Sequence, residues 1–273
     1  MSILTEINEN VSQIIAITEK HVKLSVRFKF KFIFGLIIPL FSIIMPLIVF
    51  EELFRFNANF EPWNQSNYLV FQFNAYMLFL ISNVMNVFPA EFYNEKFWKT
   101  LPNLFVAPLN QFYILLGIFF GHLIVNSIPF SVVFILCYIY YPISLASVIF
   151  VLFIYFLIAL IFSGVGLIIG VFAISNENLT GPLNFISTAF LWLSCITYPF
   201  QIFPDFFQFF INLNPLYYIF SFLRLSWIHD NILFTIASNY QNLLVLIGSS
   251  IFLPIIGILL FKYVFKRYGI VGY

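Results

Sequence analysis

Residues 204–228 read PDFFQFFINLNPLYYIFSFLRLSWI, and the reading of this stretch decides how often the chain crosses a membrane. By hydropathy alone, 206–228 is a span. Pro215 argues against a continuous one, because an interior proline removes a helical hydrogen bond and clashes with the preceding turn. Asn212 and Asn214 interrupt the same place. The pieces on either side are each too short, since a crossing helix needs about 20 residues. They are read as two short helices that dip in from the outer face and return. Irregular backbone at that depth must be buried in protein.

Charge supports that reading. Ten of the twelve Lys and Arg residues fall in three places: Lys20 to Lys31, Lys96 with Lys99, and Lys262 to Arg267. Ions are costly in hydrocarbon and collect at span ends, and Lys/Arg-rich ends stay cytoplasmic. A seventh span at 206–228 strands the last cluster outside. Six spans, over about 32–50, 67–88, 111–140, 143–173, 182–199 and 241–264, keep all three clusters and both termini inside.

Composition sets the class. The chain is 62% hydrophobic and 8% charged, against about 25% charged in soluble domains. The expectation is an all-α, multi-pass protein of the plasma membrane. A net charge of +1 offers no basic face for nucleic acid. Cys137 and Cys195 lie inside apolar runs and read as small core residues, not as a disulfide or metal pair. In residues 1–31, Ile3, Ile7, Val11, Ile14, Thr18 and Val22 recur at helical spacing, with Glu6, Glu9, Gln13, Glu19 and Lys23 opposite. This is an amphipathic helix, lying on the inner membrane surface or packed on a soluble partner. Residues 32–273 then form a single transmembrane domain.

Motifs for chemistry are missing. There is no G-x-x-x-x-G-K-[ST] phosphate loop, no H-E-x-x-H and no G-x-S-x-G, and the only aspartates are Asp205 and Asp230. No catalytic residue, metal ligand or bound cofactor is expected. Residues 89–109, PAEFYNEKFWKTLPNLFVAPL, carry the first positive signal. Pro89 suits the first turn of a helix, with Glu91 and Glu95 near its positive end and Lys96 and Lys99 following. A charged cytoplasmic helix between two spans is the shape that couples a membrane domain to a motor. An ordinary interfacial loop carries the same pattern.

Taken with residues 197–224, TYPFQIFPDFFQFFINLNPLYYIFSFLR, this segment resembles the type-2 ABC exporter permease family. Glu95, Thr100, Leu101 and Pro108 match one part of the family pattern. Pro199, Pro204, Asn214, Pro215, Leu216, Tyr218 and Arg224 match the other. Lys99 and Pro102 depart from it, at positions where the family has Gly and Glu. The resemblance implies a second permease copy (the same chain or a paralogue) and separate ATPase subunits that use ATP and Mg to drive export. ATPase coupling is expected at Glu91, Glu95, Lys96, Lys99 and Thr100 of the charged cytoplasmic helix, and a re-entrant segment over 200–228. It also implies a path between spans two and five. At about 100° per residue, Gln72, Tyr76, Phe79, Asn83 and Asn86 share one face of span two. Asn184, Thr188, Leu191, Cys195 and Tyr198 share one face of span five. These polar stripes line a path or bond helices to one another.

Gly117-x-x-x-Gly121, beside His122 and Asn126, and Gly166-x-x-x-Gly170 are small-residue patterns that permit close helix packing. The expected cargo is an amphipathic or lipid-linked compound, with polysaccharide or its lipid-linked precursor as the alternative. A membrane scaffold without cargo is the reading from another class.

Overall fold

The computed structural model describes residues 3–27, 29–55, 60–97, 111–175 and 179–268, and their regular structure is helical. Helix α1 (Ile3–Arg27) is followed by α2 (Lys29–Arg55), α3 (Tyr68–Ser82) and α4 (Val84–Phe97). After them come α5 (Gln111–Tyr140), α6 (Leu145–Ser175) and α7 (Thr180–Trp192). A 3-10 turn (Phe200–Ile202) leads to α8 (Asp205–Leu213), α9 (Pro215–His229), α10 (Ile232–Ser238) and α11 (Tyr240–Tyr268). Among the described residues, four stretches are long and apolar enough to cross a bilayer: Tyr68–Asn94, Phe112–Tyr140, Leu145–Ala173 and Tyr240–Val264. Counting α8 with α9 as one bent pair makes a fifth. Helix α2, at 27 residues, reaches about 40 Å at 1.5 Å per residue.

Helix α6 is the hub. It packs along α11 on one side and α4 on another, and α3 and α9 also contact it. Its glycines set those crossings. A Cβ on Gly164 would lie 2.5 Å from the backbone of Leu253 and Pro254 in α11. One on Gly166 would lie 2.5 Å from the Met85 carbonyl oxygen of α4, and one on Gly170 would strike Phe92 at 2.8 Å. The Gly166/Gly170 pattern therefore does bring two helices together. The Gly117/Gly121 pattern does so with an unexpected partner. A Cβ at either position would meet Ile17 or His21 of α1 within 2.7 Å. The amphipathic helix lies on α5, and its polar Thr18 hydroxyl reaches the Gly117 carbonyl at 3.3 Å.

Two boundaries differ from the sequence reading. Pro89 does not open a helix: α4 begins at Val84, and Pro89 lies inside it. The proline leaves the Met85 carbonyl without its helical donor, at the point where Gly166 brings the α6 backbone against that oxygen. Glu91 and Glu95 consequently sit in the second half of a helix, away from its positive end. The fifth span also falls short, because α7 stops at Trp192 after 13 residues. That is about 20 Å of helix, too little to cross.

At Asn214-Pro215 the chain breaks as expected, but α8 and α9 meet at 87°, a corner and not a hairpin. Helix α9 runs beside α6, with Phe222 on Phe150 and Phe220 on Phe162. Its far end is fastened to the turn before α6. Trp227 Nε1 donates to the Tyr141 carbonyl at 3.2 Å, and the Ser144 N–H donates to Asp230 Oδ1 at 2.8 Å.

Candidate functional site

Residues 193–199 are the irregular part of the bundle. Cys195 has φ 56°, a left-handed conformation that non-glycine residues seldom adopt. Its carbonyl and those after it leave the helical ladder, and at this depth each needs a donor. Arg224 of α9 provides two. Its Nη1 donates to the Cys195 carbonyl at 2.8 Å, and its Nη2 donates to the Ile196 carbonyl. Gln72 of α3 provides a third, Nε2 to the Thr197 carbonyl at 3.1 Å. Side chains from two other helices thus replace the amide groups that α7 lacks.

Arg224 is 3% exposed. Its guanidinium carbon sits 3.6 Å from the centroid of the Phe71 ring, within cation–π range. Among the described residues no carboxylate pairs with it, and its Nε has no hydrogen-bond partner. A pocket of about 90 Å³ lies beside it, lined by Trp63, Phe71, Gln201, Tyr217, Ser221 and Arg224 among others.

The other residues of the re-entrant pattern position this arrangement. Pro199 and Pro204 bracket the 3-10 turn in extended conformation. Asn214 caps α9 by accepting from the Leu216 N–H at 3.0 Å, and its Nδ2 donates to the Phe190 carbonyl of α7 at 2.6 Å. Pro215 follows at the first helical position, where a missing N–H costs nothing. At the other end of α9, Asp230 adopts φ 45°. Burial opposes its charged form, but hydrogen bonds from Ser147 and Ser144 outweigh that and hold its carboxyl below the ordinary value.

Of the predicted coupling residues, Glu91 is 24% exposed at its side chain and lies 3.4 Å, Oε1 to Nδ1, from His21 of α1. It faces the amphipathic helix. Glu95 and Lys96 lie on α4 with their side chains outside the described set, and Lys99 and Thr100 lie outside the described residues.

The polar stripes divide. Gln72 and Tyr76 are buried, Asn83 is half-buried, and Asn86 is exposed. Asn184 and Thr188 are exposed on α7. Tyr198 lies beyond the helix, half-buried, with its ring 6.2 Å from that of Phe50. The helical face assumed for Cys195 and Tyr198 ends at Trp192. Sequence periodicity also passes over a buried polar pair: Tyr155 donates to Asn74 Oδ1 at 2.6 Å, joining α6 to α3. The available signal was Asn74 between Gln72 and Tyr76, and Tyr155 alone in its apolar run. Asn126 reaches the Leu80 carbonyl at 3.5 Å, while His122 Nε2 is buried without a partner.

The sequence pattern of the ABC-2 type transporter family matches residues 12–227. The chain belongs to that family. The ABC-2 match takes in α1 from residue 12, the unwound segment, Arg224 and Glu91. The inner membrane transport permease YadH of Escherichia coli strain K12 is 27% identical over 155 residues, 57% of this chain and 60% of YadH. The YadH of Shigella flexneri matches to the same extent. The alignment thus spans about 60% of the length of these curated relatives. As an ABC-2 protein with several bilayer-length apolar helices, the chain is a multi-pass membrane protein.

Proposed function

We propose that this chain is the membrane-spanning permease subunit of an ATP-driven exporter in the plasma membrane, moving an amphipathic or lipid-linked compound outward. The observation that carries this reading is the family match over residues 12–227 in a sequence with no phosphate loop. These residues offer no phosphate loop for ATP, so an ABC ATPase binding Mg and ATP is the implied motor. A second permease copy completes the assembly. Helices α2, α3 with α4, α5, α6, α7 with its unwound extension, and α11 make six spans with both termini in the cytoplasm. The exposed Asn184 and Thr188 of α7 and the Asn86 end of span two face the path. Glu95, Lys96, Lys99 and Thr100 meet the ATPase.

The test is purification of the tagged chain from its own host membranes. A phosphate-loop ATPase should come with it, and inverted vesicles should accumulate a fluorescent amphiphile when given ATP. If no ATPase is retained and ATP drives no accumulation, the chain is a scaffold and the transport reading fails.

A further inference from the structure

We propose that the pocket beside Arg224 binds the phosphate headgroup of a membrane amphiphile. This goes beyond the transport reading and does not rest on it, because binding at this site needs no ATPase.

The argument begins with charge. Arg224 is buried without a carboxylate partner among the described residues, and such a cation costs several kcal/mol unless its donors are met. A guanidinium has five N–H donors, and the Cys195 and Ile196 carbonyls receive two bonds from it. Its Nε is left without a partner. Beside it, the pocket wall carries further donors. Trp63 has an indole N–H, Tyr217 a phenol and Ser221 a hydroxyl, and no side-chain hydrogen bond engages these three among the described residues. A concave site that sets free donors beside a cation which no acid neutralises among the described residues is complementary to an anion. Arg guanidinium suits the tetrahedral, multiply accepting phosphate group in particular.

Size and surroundings narrow the ligand. At about 90 Å³ the pocket has room for a headgroup but not for a drug-sized molecule, which takes roughly 300 Å³ or more. Phe71, Phe200 and Pro199 also line it, and the following helix α8 turns Phe206 and Phe209 outward, 68% and 63% exposed. An anion with an apolar tail fits a polar cleft beside such a surface. The pocket lies at the end of the bundle that holds Glu61, Tyr141 and Asp230, since Gln201 reaches the Glu61 carbonyl and α9 is fastened to the 141–144 turn.

The test uses the full chain in dodecyl maltoside, with phosphatidylglycerol as probe, diacylglycerol as the phosphate-free control, and inorganic phosphate as the free anion. Native mass spectrometry should show about one phosphatidylglycerol retained per chain, and no diacylglycerol. The double variant Trp63→Phe/Ser221→Ala removes two donors while keeping the wall's shape. It should bind roughly tenfold more weakly or worse, the effect of losing hydrogen bonds to a charged group. Arg224→Gln should remove binding; if it fails to fold, the double variant decides alone. Displacement of the lipid by millimolar phosphate assigns the site to the free anion, and the headgroup proposal then falls. Equal retention of diacylglycerol, or unchanged affinity in the double variant, also overturns it.

Discussion

His21 of α1 and Glu91 of α4 meet at 3.4 Å, with His21 seated on Gly121 of α5. Three elements therefore converge on one contact at the end of span two. It joins the amphipathic helix to the segment proposed to carry motor motion. Helix α1 also lies along α5 and touches α2, so this contact ties α4 to an element that packs on two others.

The two acids of α4 should therefore separate by assay. Glu91→Lys places a cation against His21 and should lower stability by about 0.5–1 kcal/mol, the range for a partly exposed charge contact. A melting curve in detergent reads it. Glu95→Lys should leave melting unchanged and reduce co-purified ATPase instead, since docking charges govern association more than folding. If Glu95→Lys retains full ATPase and transport, the contact lies elsewhere.

Gly166→Leu should destabilise the bundle by at least about 1–3 kcal/mol, the usual cost of overpacking. Its Cβ would sit 2.5 Å from a backbone oxygen that cannot turn away. Gly121→Leu should free α1 from α5 and speed cleavage by trypsin at Arg27, whose backbone the packed helix otherwise holds. Gly181→Leu is the control, because nothing lies within 4 Å of its Cβ. Equal melting of all three would remove the packing role.

Gln72→Leu distinguishes a path-lining role from a packing role. The substitution leaves the Thr197 carbonyl without its donor, so stability should fall by about 1–3 kcal/mol. Asn86→Leu should leave stability alone and change transport. A Gln72→Leu protein that melts like the wild type would return Gln72 to the path.

Asp230→Ala should cost about 1 kcal/mol, the usual net worth of a hydrogen bond such as the one its carboxylate accepts from the Ser144 N–H. The pH dependence follows from the depressed carboxyl. Its folded pKa is below the unfolded value of about 3.9, so the contribution is complete above that value and disappears as pH falls through the folded one. Melting curves of the wild type and variant should differ fully at pH 7 and begin to converge only as the pH falls below about 3.9. A difference independent of pH would assign Asp230 a purely steric role.

Single cysteines in a background lacking Cys137 and Cys195 test the six-span arrangement. External reagent should label positions 142 and 230 but not 94 or 273. Labelling at 273 refutes it.

Much of the fold is legible locally. Apolar length marks α5, α6 and α11, periodicity marks α1, and Asn214-Pro215 marks the corner between α8 and α9. The boundaries that differ are set by distant partners. No residue between Trp192 and Pro199 is a helix breaker by type; the helix ends there with Arg224 and Gln72 bonded to its carbonyls. Pro89 reads as a helix start, yet it sits mid-helix because Gly166 packs against the carbonyl it frees. Periodicity likewise groups Gln72 with Asn86 without revealing that one end of the stripe is buried against the unwound segment and the other is exposed.

The order of synthesis makes the Arg224 arrangement accessible. The acceptors at Cys195 and Ile196 precede the guanidinium by 29 and 28 positions. They leave the ribosome first, so the charge reaches the membrane after its carbonyls have been made. The same bonds with the order reversed would require an arginine to wait in hydrocarbon, where a lone charge is strongly disfavoured. The sequence order thus lets α9 meet a segment that already exists, and a chain truncated before residue 224 would lack the donors for the Cys195 and Ile196 carbonyls.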